Sequence, residues 1–150
     1  MSTEPIRTRE TIPSSLSSIL STIKSSSTAG SPVRLVAVSK YIPPDSIKVA
    51  YTAGQRHFGE NYIQELISKA SELPDDIKWH FIGALQSNKC KLLVEQVQNL
   101  WCVETVDTEK KARLLEAGLV AVDRKDVLKV FVQVNTSGEE RITTISKCDY

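Results

Sequence analysis

From residue 33 onward the chain alternates short apolar runs with helical stripes, and this alternation most limits what it can fold into. Strands are predicted at 34–39, 57–59, 78–83, 100–104 and 129–135. Helices are predicted between them, at 44–53, 61–73, 87–97 and 108–122. The helix signals are local. Asp45 falls in a first turn and Gly54 is a stop, while Asp107 or Thr108 suits an N-cap. Ile63, Leu66, Ile67 and Ala70 share one face. A strand that returns through a helix to another strand runs parallel to it, so the fold class is α/β. Short apolar strands fit a sheet covered on both faces. Two architectures satisfy this order: a doubly wound open sheet, or parallel (β/α) units of an eight-stranded barrel. The first strand ends in Ser39-Lys40-Tyr41-Ile42-Pro43-Pro44, with no glycine-rich phosphate turn, which disfavours the dinucleotide-binding type.

The segment before residue 33 differs in texture. It is rich in Ser and Thr, and Leu16, Ile19, Leu20 and Ile23 repeat at helical spacing. A tail and a short helix are expected over 1–32, with Pro13 in the helix's first turn. The same composition suits a mitochondrial transit peptide, but Glu4 and Glu10 count against one. The expected compartment is the cytoplasm, with the mitochondrion as the alternative.

With 150 residues, 41% of them hydrophobic, the chain can pack one core. A net charge of +1 gives no electrostatic case for nucleic acid or an anionic membrane. No apolar run approaches the roughly 20 residues of a membrane span. Cys90, Cys102 and Cys148 show no CxxC spacing and no histidine pair beside them in sequence, so neither a zinc nor a disulfide framework is expected. Gly83-Ala-Leu-Gln-Ser-Asn-Lys89 imitates a phosphate-binding loop but lacks the glycine before the lysine that the backbone nest requires.

In parallel βα proteins the reactive face lies at the C-terminal strand ends. Lys40 stands at such an end, and strand parity groups it with Val36 and Val38. It is either a solvated cap or an amine able to form a Schiff base with an aldehyde or ketone. An ordinary lysine is neutral in about one molecule in a few thousand at pH 7, so such a role calls for a specific environment. Glu60 could orient Lys40 or a neighbour. His80 reads better as a packed strand histidine with a satisfied ring than as a general base. Trp79 and Phe81, of opposite parity, should pack under helices. Lys89 and Lys91 read as solvated first-turn lysines or as anion ligands. Asn135, Thr136 and Ser137 would either bond across the strand ends or cap a helix.

AVSK at 37–40, FGENY at 58–62, KWHFIGALQSNK at 78–89, VET at 103–105 and VNTSGE at 134–139 occur in one order. Together they closely resemble the pyridoxal phosphate homeostasis protein family. The resemblance implies an alanine racemase-like (β/α) barrel that binds pyridoxal 5′-phosphate. It implies that Lys40 forms the Schiff base and that Asn61 lines the cofactor pocket. It implies a carrier in vitamin B6 homeostasis without assigned catalysis. A whole barrel takes about 250 residues and eight strands. Five strands are read here, so 33–140 is expected to be an incomplete barrel, the N-terminal part of the family's unit. The segment 141–150 is an atypical tail, unlike the family's continuation, and a truncated chain is expected. The alternatives are a racemase-like enzyme using the same cofactor, for which no second domain or tyrosine acid/base partner is recognisable, and an inactive fragment.

Overall fold

A computed structural model describes residues 6–27 and 33–136. Helix α1 spans Ile6–Ser26. Then follow β1 Ala37–Val38, α2 Pro44–Thr52, β2 His57–Glu60, α3 Ile63–Glu72 and β3 Lys78–Phe81. A 3-10 turn at Ser87–Lys89 leads into α4 Cys90–Gln96, followed by β4 Leu100–Val106, α5 Glu109–Ala121 and β5 Lys129–Val132. The five strands form one parallel sheet in the order β1-β2-β3-β4-β5. Spatial order equals chain order, without the reversal of a doubly wound sheet. That is the order of consecutive units in a (β/α) barrel, so the fold is a partial barrel preceded by a helix.

Register sorts the side chains. Ala37, Phe58 and Trp79 lie opposite one another in neighbouring strands, as do Val38, Gly59, His80 and Cys102. The first row faces the helices. Phe58, Trp79, Phe81 and Val103 join Leu66, Leu93, Val94 and Leu115 in one buried core. Each such side chain contributes about 1.5–3 kcal/mol on leaving water. Trp79 and Phe81 therefore pack as their parity predicts. Helix α5 packs closely on α4 at Gly118, where a Cβ would meet the Lys91 backbone and Val94 at ordinary contact distance.

The termini of the elements follow local chemistry. Pro44 opens α2, and Gly54, at φ +100°, ends it. The Thr108 hydroxyl accepts the Lys111 N–H and caps α5.

Several elements differ from expectation. Helix α1 is 21 residues long, and Pro13 lies inside it rather than in its first turn. Ser14, Thr22 and Ser25 donate their hydroxyls to helix carbonyls three or four residues back, so the Ser/Thr texture is folded into the helix. Strand β1 keeps only two ladder residues. Above it in the chain, the Leu35 carbonyl accepts from the Gln55 side chain instead of a strand backbone. The predicted helix at 87–97 opens as a 3-10 turn. Strand β4 runs on to Val106, and β5 ends at Val132. Ser137 and the segment 141–150 lie outside the described residues. Among the described residues no helix is long and apolar enough to cross a membrane.

Candidate functional site

The C-terminal strand ends gather the polar residues that the sequence singles out. Ser39 N–H donates to the Gly59 carbonyl at 2.9 Å, the last ladder bond of the β1 edge. A turn follows at once, closed by Ile42 N–H on the Ser39 carbonyl at 3.0 Å. Lys40 is its second residue and is exposed. Tyr41, its third, has φ +62°. That conformation normally calls for glycine, and a bulky residue held there costs on the order of 1–3 kcal/mol. Lys40 and Asn61 each lie two residues beyond the Val38–Gly59 pair, so the two predicted site residues occupy neighbouring strand ends. Asn61 is half-buried. A Cβ on Gly83 would fall 2.1 Å from the Asn61 carbonyl oxygen, so the loop after β3 can press on Asn61 only as glycine. Beside this contact runs a groove of about 410 Å³ lined by Asn61, Gln64, Gln86 and Lys89, with Phe81 at its base.

Behind the Lys40 turn, on the helix side of the sheet, sits a buried ionic cluster. Glu60, which ends β2, is 0% exposed, Lys69 of α3 is 5% and Ser39 is 3%. Lys69 Nζ donates to Glu60 Oε1 at 2.7 Å, to Glu65 Oε1 at 2.6 Å and to the Ser39 carbonyl at 2.7 Å. The Ser39 hydroxyl donates to Glu60 Oε1 at 2.6 Å. Tyr41 N–H donates to Glu65 Oε1 at 2.6 Å. Burial pushes the Glu60 carboxyl up, against the pull of its bonds from Lys69 and Ser39. Glu60 thus touches the residue before Lys40, not Lys40 itself. Sequence reading passed over Lys69 and Glu65. The available signal was their i,i+4 spacing on α3, beside the apolar stripe.

The opposite face of the sheet carries a second polar chain. His80 Nδ1 lies 2.6 Å from Glu104 Oε1, and His80 Nε2 lies 2.8 Å from His57 Nδ1. A carboxylate at Nδ1 makes that nitrogen the donor, so neutral His80 accepts at Nε2 from His57. His80 is therefore a satisfied strand histidine. Trp101, the bulged residue of β4, packs against both imidazoles, and Arg34 and Lys129 stand over its ring at 4.3 and 4.4 Å. Burial, His80 and the nearby cations lower the His57 pKa to about 4. His80 is lowered too, chiefly by burial, although Glu104 opposes this.

Cys102 faces His80 across the β3–β4 register, so a cysteine remote in sequence does meet a histidine in space. Ligand atoms of His80, Cys102 and Glu104 lie within 4.8 Å of one another. Both His80 nitrogens already have partners, and burial pushes the Cys102 thiol up to about 11, so a protonated thiol stands there rather than a thiolate ligand. Cys90, at the start of α4, is equally buried and its thiol is also raised by burial.

Residues 15–142 match the family described as alanine racemase, N-terminal domain. A pyridoxal phosphate homeostasis protein of Schizosaccharomyces pombe is 54% identical over 130 residues, which are 87% of this chain and 53% of that one. The human protein of the same name is 50% identical over 112 residues, which are 71% of this chain and 40% of its own. Among solved structures, PipY of Synechococcus elongatus with PLP bound is similar at TM-score 0.69 and 36% identity, over 85% of this chain and 56% of that one. A protein of unknown role from Bifidobacterium adolescentis is similar at TM-score 0.77 and 29% identity, over 96% of this chain and 62% of that one. The chain spans about half the length of the curated relatives it matches.

Proposed function

The chain belongs to the alanine racemase N-terminal domain family, and from that premise we propose that it binds pyridoxal 5′-phosphate covalently through Lys40 and serves in the homeostasis of that cofactor. The observation that carries the reading is the placement of an exposed lysine beside Asn61 at neighbouring strand ends, in a chain similar to PLP-bound PipY. The names of the curated relatives support the physiological role.

The residues present fit such a group. Lys40 projects from a turn at the reactive edge of a parallel sheet, and Gly83 leaves the space that any side chain would deny to Asn61. The cofactor supplies an aldehyde and, once bound, an electron sink. The neutral Lys40 amine bonds to the aldehyde carbon, and its two protons leave with the carbonyl oxygen as water. Asn61 lines the pocket, and its amide offers both a donor and an acceptor. Residues 33–140 are the unit that carries this chemistry, with the cytoplasm as its compartment.

Borohydride trapping of added pyridoxal phosphate, followed by peptide mapping, tests the reading. Label is expected on Lys40 and should be lost in Lys40→Ala. Label that persists on other lysines of the variant at wild-type yield would refute the assignment. Turnover of alanine enantiomers by the wild-type chain would replace the carrier reading with a racemase-like one. A chain that is folded but takes no site-specific label would mark an inactive fragment.

A further inference from the structure

We propose that Glu60, Glu65 and Lys69 form a clamp behind the sheet that sets the conformation of the Lys40 turn, and that all three are positioning residues for the Lys40 amine. The inference rests on the reading of Lys40 as the cofactor-binding amine and adds what holds that amine in place.

Three observations converge on it. First, the clamp grips the chain on both sides of Lys40. Before it, the Ser39 carbonyl accepts from Lys69 and the Ser39 hydroxyl donates to Glu60. After it, Tyr41 N–H donates to Glu65. Lys69 Nζ joins the two carboxylates, so the grips form one connected network. Second, the gripped turn contains a tyrosine at φ +62°, a conformation that local preference does not supply. Something outside the turn must hold it, and Glu65 reaches the N–H of that same residue. Third, the cluster occupies a poor place for a purely stabilising device. Buried ion pairs seldom exceed the stability of well-packed apolar residues of similar size, and in some proteins they fix a geometry instead. The surface pairs Lys48–Glu72 and Arg56–Asp76 of neighbouring elements make no bond to the Lys40 turn.

The consequence is a division of labour. The Lys40 side chain stays exposed and able to react, while its Cα–Cβ direction is fixed from behind the sheet. Loosening the turn would leave the amine in the protein but misdirect it, and a misplacement of about 1 Å can cost up to a hundredfold in reaction.

The test uses the full chain with Glu65→Ala, Glu65→Gln and Lys69→Met. Two quantities are read. One is the ratio of borohydride-trapped pyridoxal phosphate on Lys40 to that on Lys91, whose side chain is 65% exposed and which lies on α4 away from the turn. The other is the hydrogen-exchange protection of the Tyr41 amide, with the Leu66 amide of α3, bonded to the Tyr62 carbonyl, as internal control. Glu65→Ala should lower the ratio roughly tenfold and speed Tyr41 exchange while Leu66 stays protected. Glu65→Gln, which keeps an acceptor oxygen, should restore most of both. A ratio and a Tyr41 protection unchanged in Glu65→Ala overturn the clamp. If Lys69→Met does not fold, the partly exposed Glu65 pair of variants decides alone. If the wild-type chain does not label on Lys40, the cofactor reading fails separately, and Tyr41 exchange still judges the clamp: faster in Glu65→Ala supports it, unchanged refutes it.

Discussion

Strand β2 contributes to two buried polar clusters, one on each face of the sheet, and they are built on different terms. Glu60 points toward the helices into a closed set of charges, where α3 supplies both the cation and a second anion. His57 points the other way, into a neutral imidazole pair that leans on Trp101 among Arg34 and Lys129. The helix face is sealed, so the Glu60 charge is held there by Lys69 and Ser39, both on Oε1, while Oε2 is buried without a hydrogen-bond partner. The opposite face meets its polar demand with neutral hydrogen bonds and keeps its cations over an aromatic ring. The contrast teaches that the sealed side fixes backbone, because its bonds end on Ser39 and Tyr41, while the other side only links side chains.

The sharpest way to break this contrast is to remove one charge from the sealed side. Lys69→Met leaves Glu60 buried without its cation and should cost about 3–5 kcal/mol in denaturant unfolding at neutral pH. The loss should shrink in acid, because a carboxyl whose folded pKa is raised is least costly when protonated. On the other face, Glu104→Leu strands the Nδ1–H of His80 and should cost less, about 1–3 kcal/mol. Equal losses in the two variants would erase the distinction between the faces.

A pH titration sharpens it further. The folded pKa of His57 is lowered to about 4, below its ordinary value of 6.5. Its contribution is therefore complete above the ordinary value and is lost as pH falls toward 4, because only the unfolded chain takes up the proton there. His57→Gln should flatten that part of the stability–pH curve. A curve of unchanged shape would show that the imidazole pair is not held neutral. At the bottom of the scale, Glu109→Ala removes a pair that is 78% and 74% exposed and should leave the unfolding midpoint unmoved.

Much of this fold was legible along the chain. The alternation of strands and helices, the helix-side packing of Trp79 and Phe81, the stop at Gly54 and the cap at Thr108 follow from period, parity and local backbone preference, which act within a few residues, whereas the order of the strands in the sheet was left between two architectures. The place of Lys40 at a strand end was legible for the same reason, while Asn61 entered as what the resemblance implies. Whether they hold cofactor is a matter for the trapping experiment. What escaped the sequence is long-range. The bond from Lys69 to Ser39 spans 30 positions, and the one from Ser39 to Glu60 spans 21. No periodicity encodes such pairs. The length of α1 was also hidden, because hydroxyl side chains that favour turns in an unfolded segment can equally bond back to a helix. The shortness of β1 depends on which groups its edge meets, and here a glutamine side chain takes the place of a strand.

The two buried cysteines turn the core into a clock. Cys90 and Cys102 are both 0% exposed, and their raised pKa values keep them as unreactive thiols while the fold is closed. An alkylating reagent can reach them only through opening of α4 or β4. The modification rate at each, read peptide by peptide, therefore counts how often that element comes undone, without any probe being added to the protein.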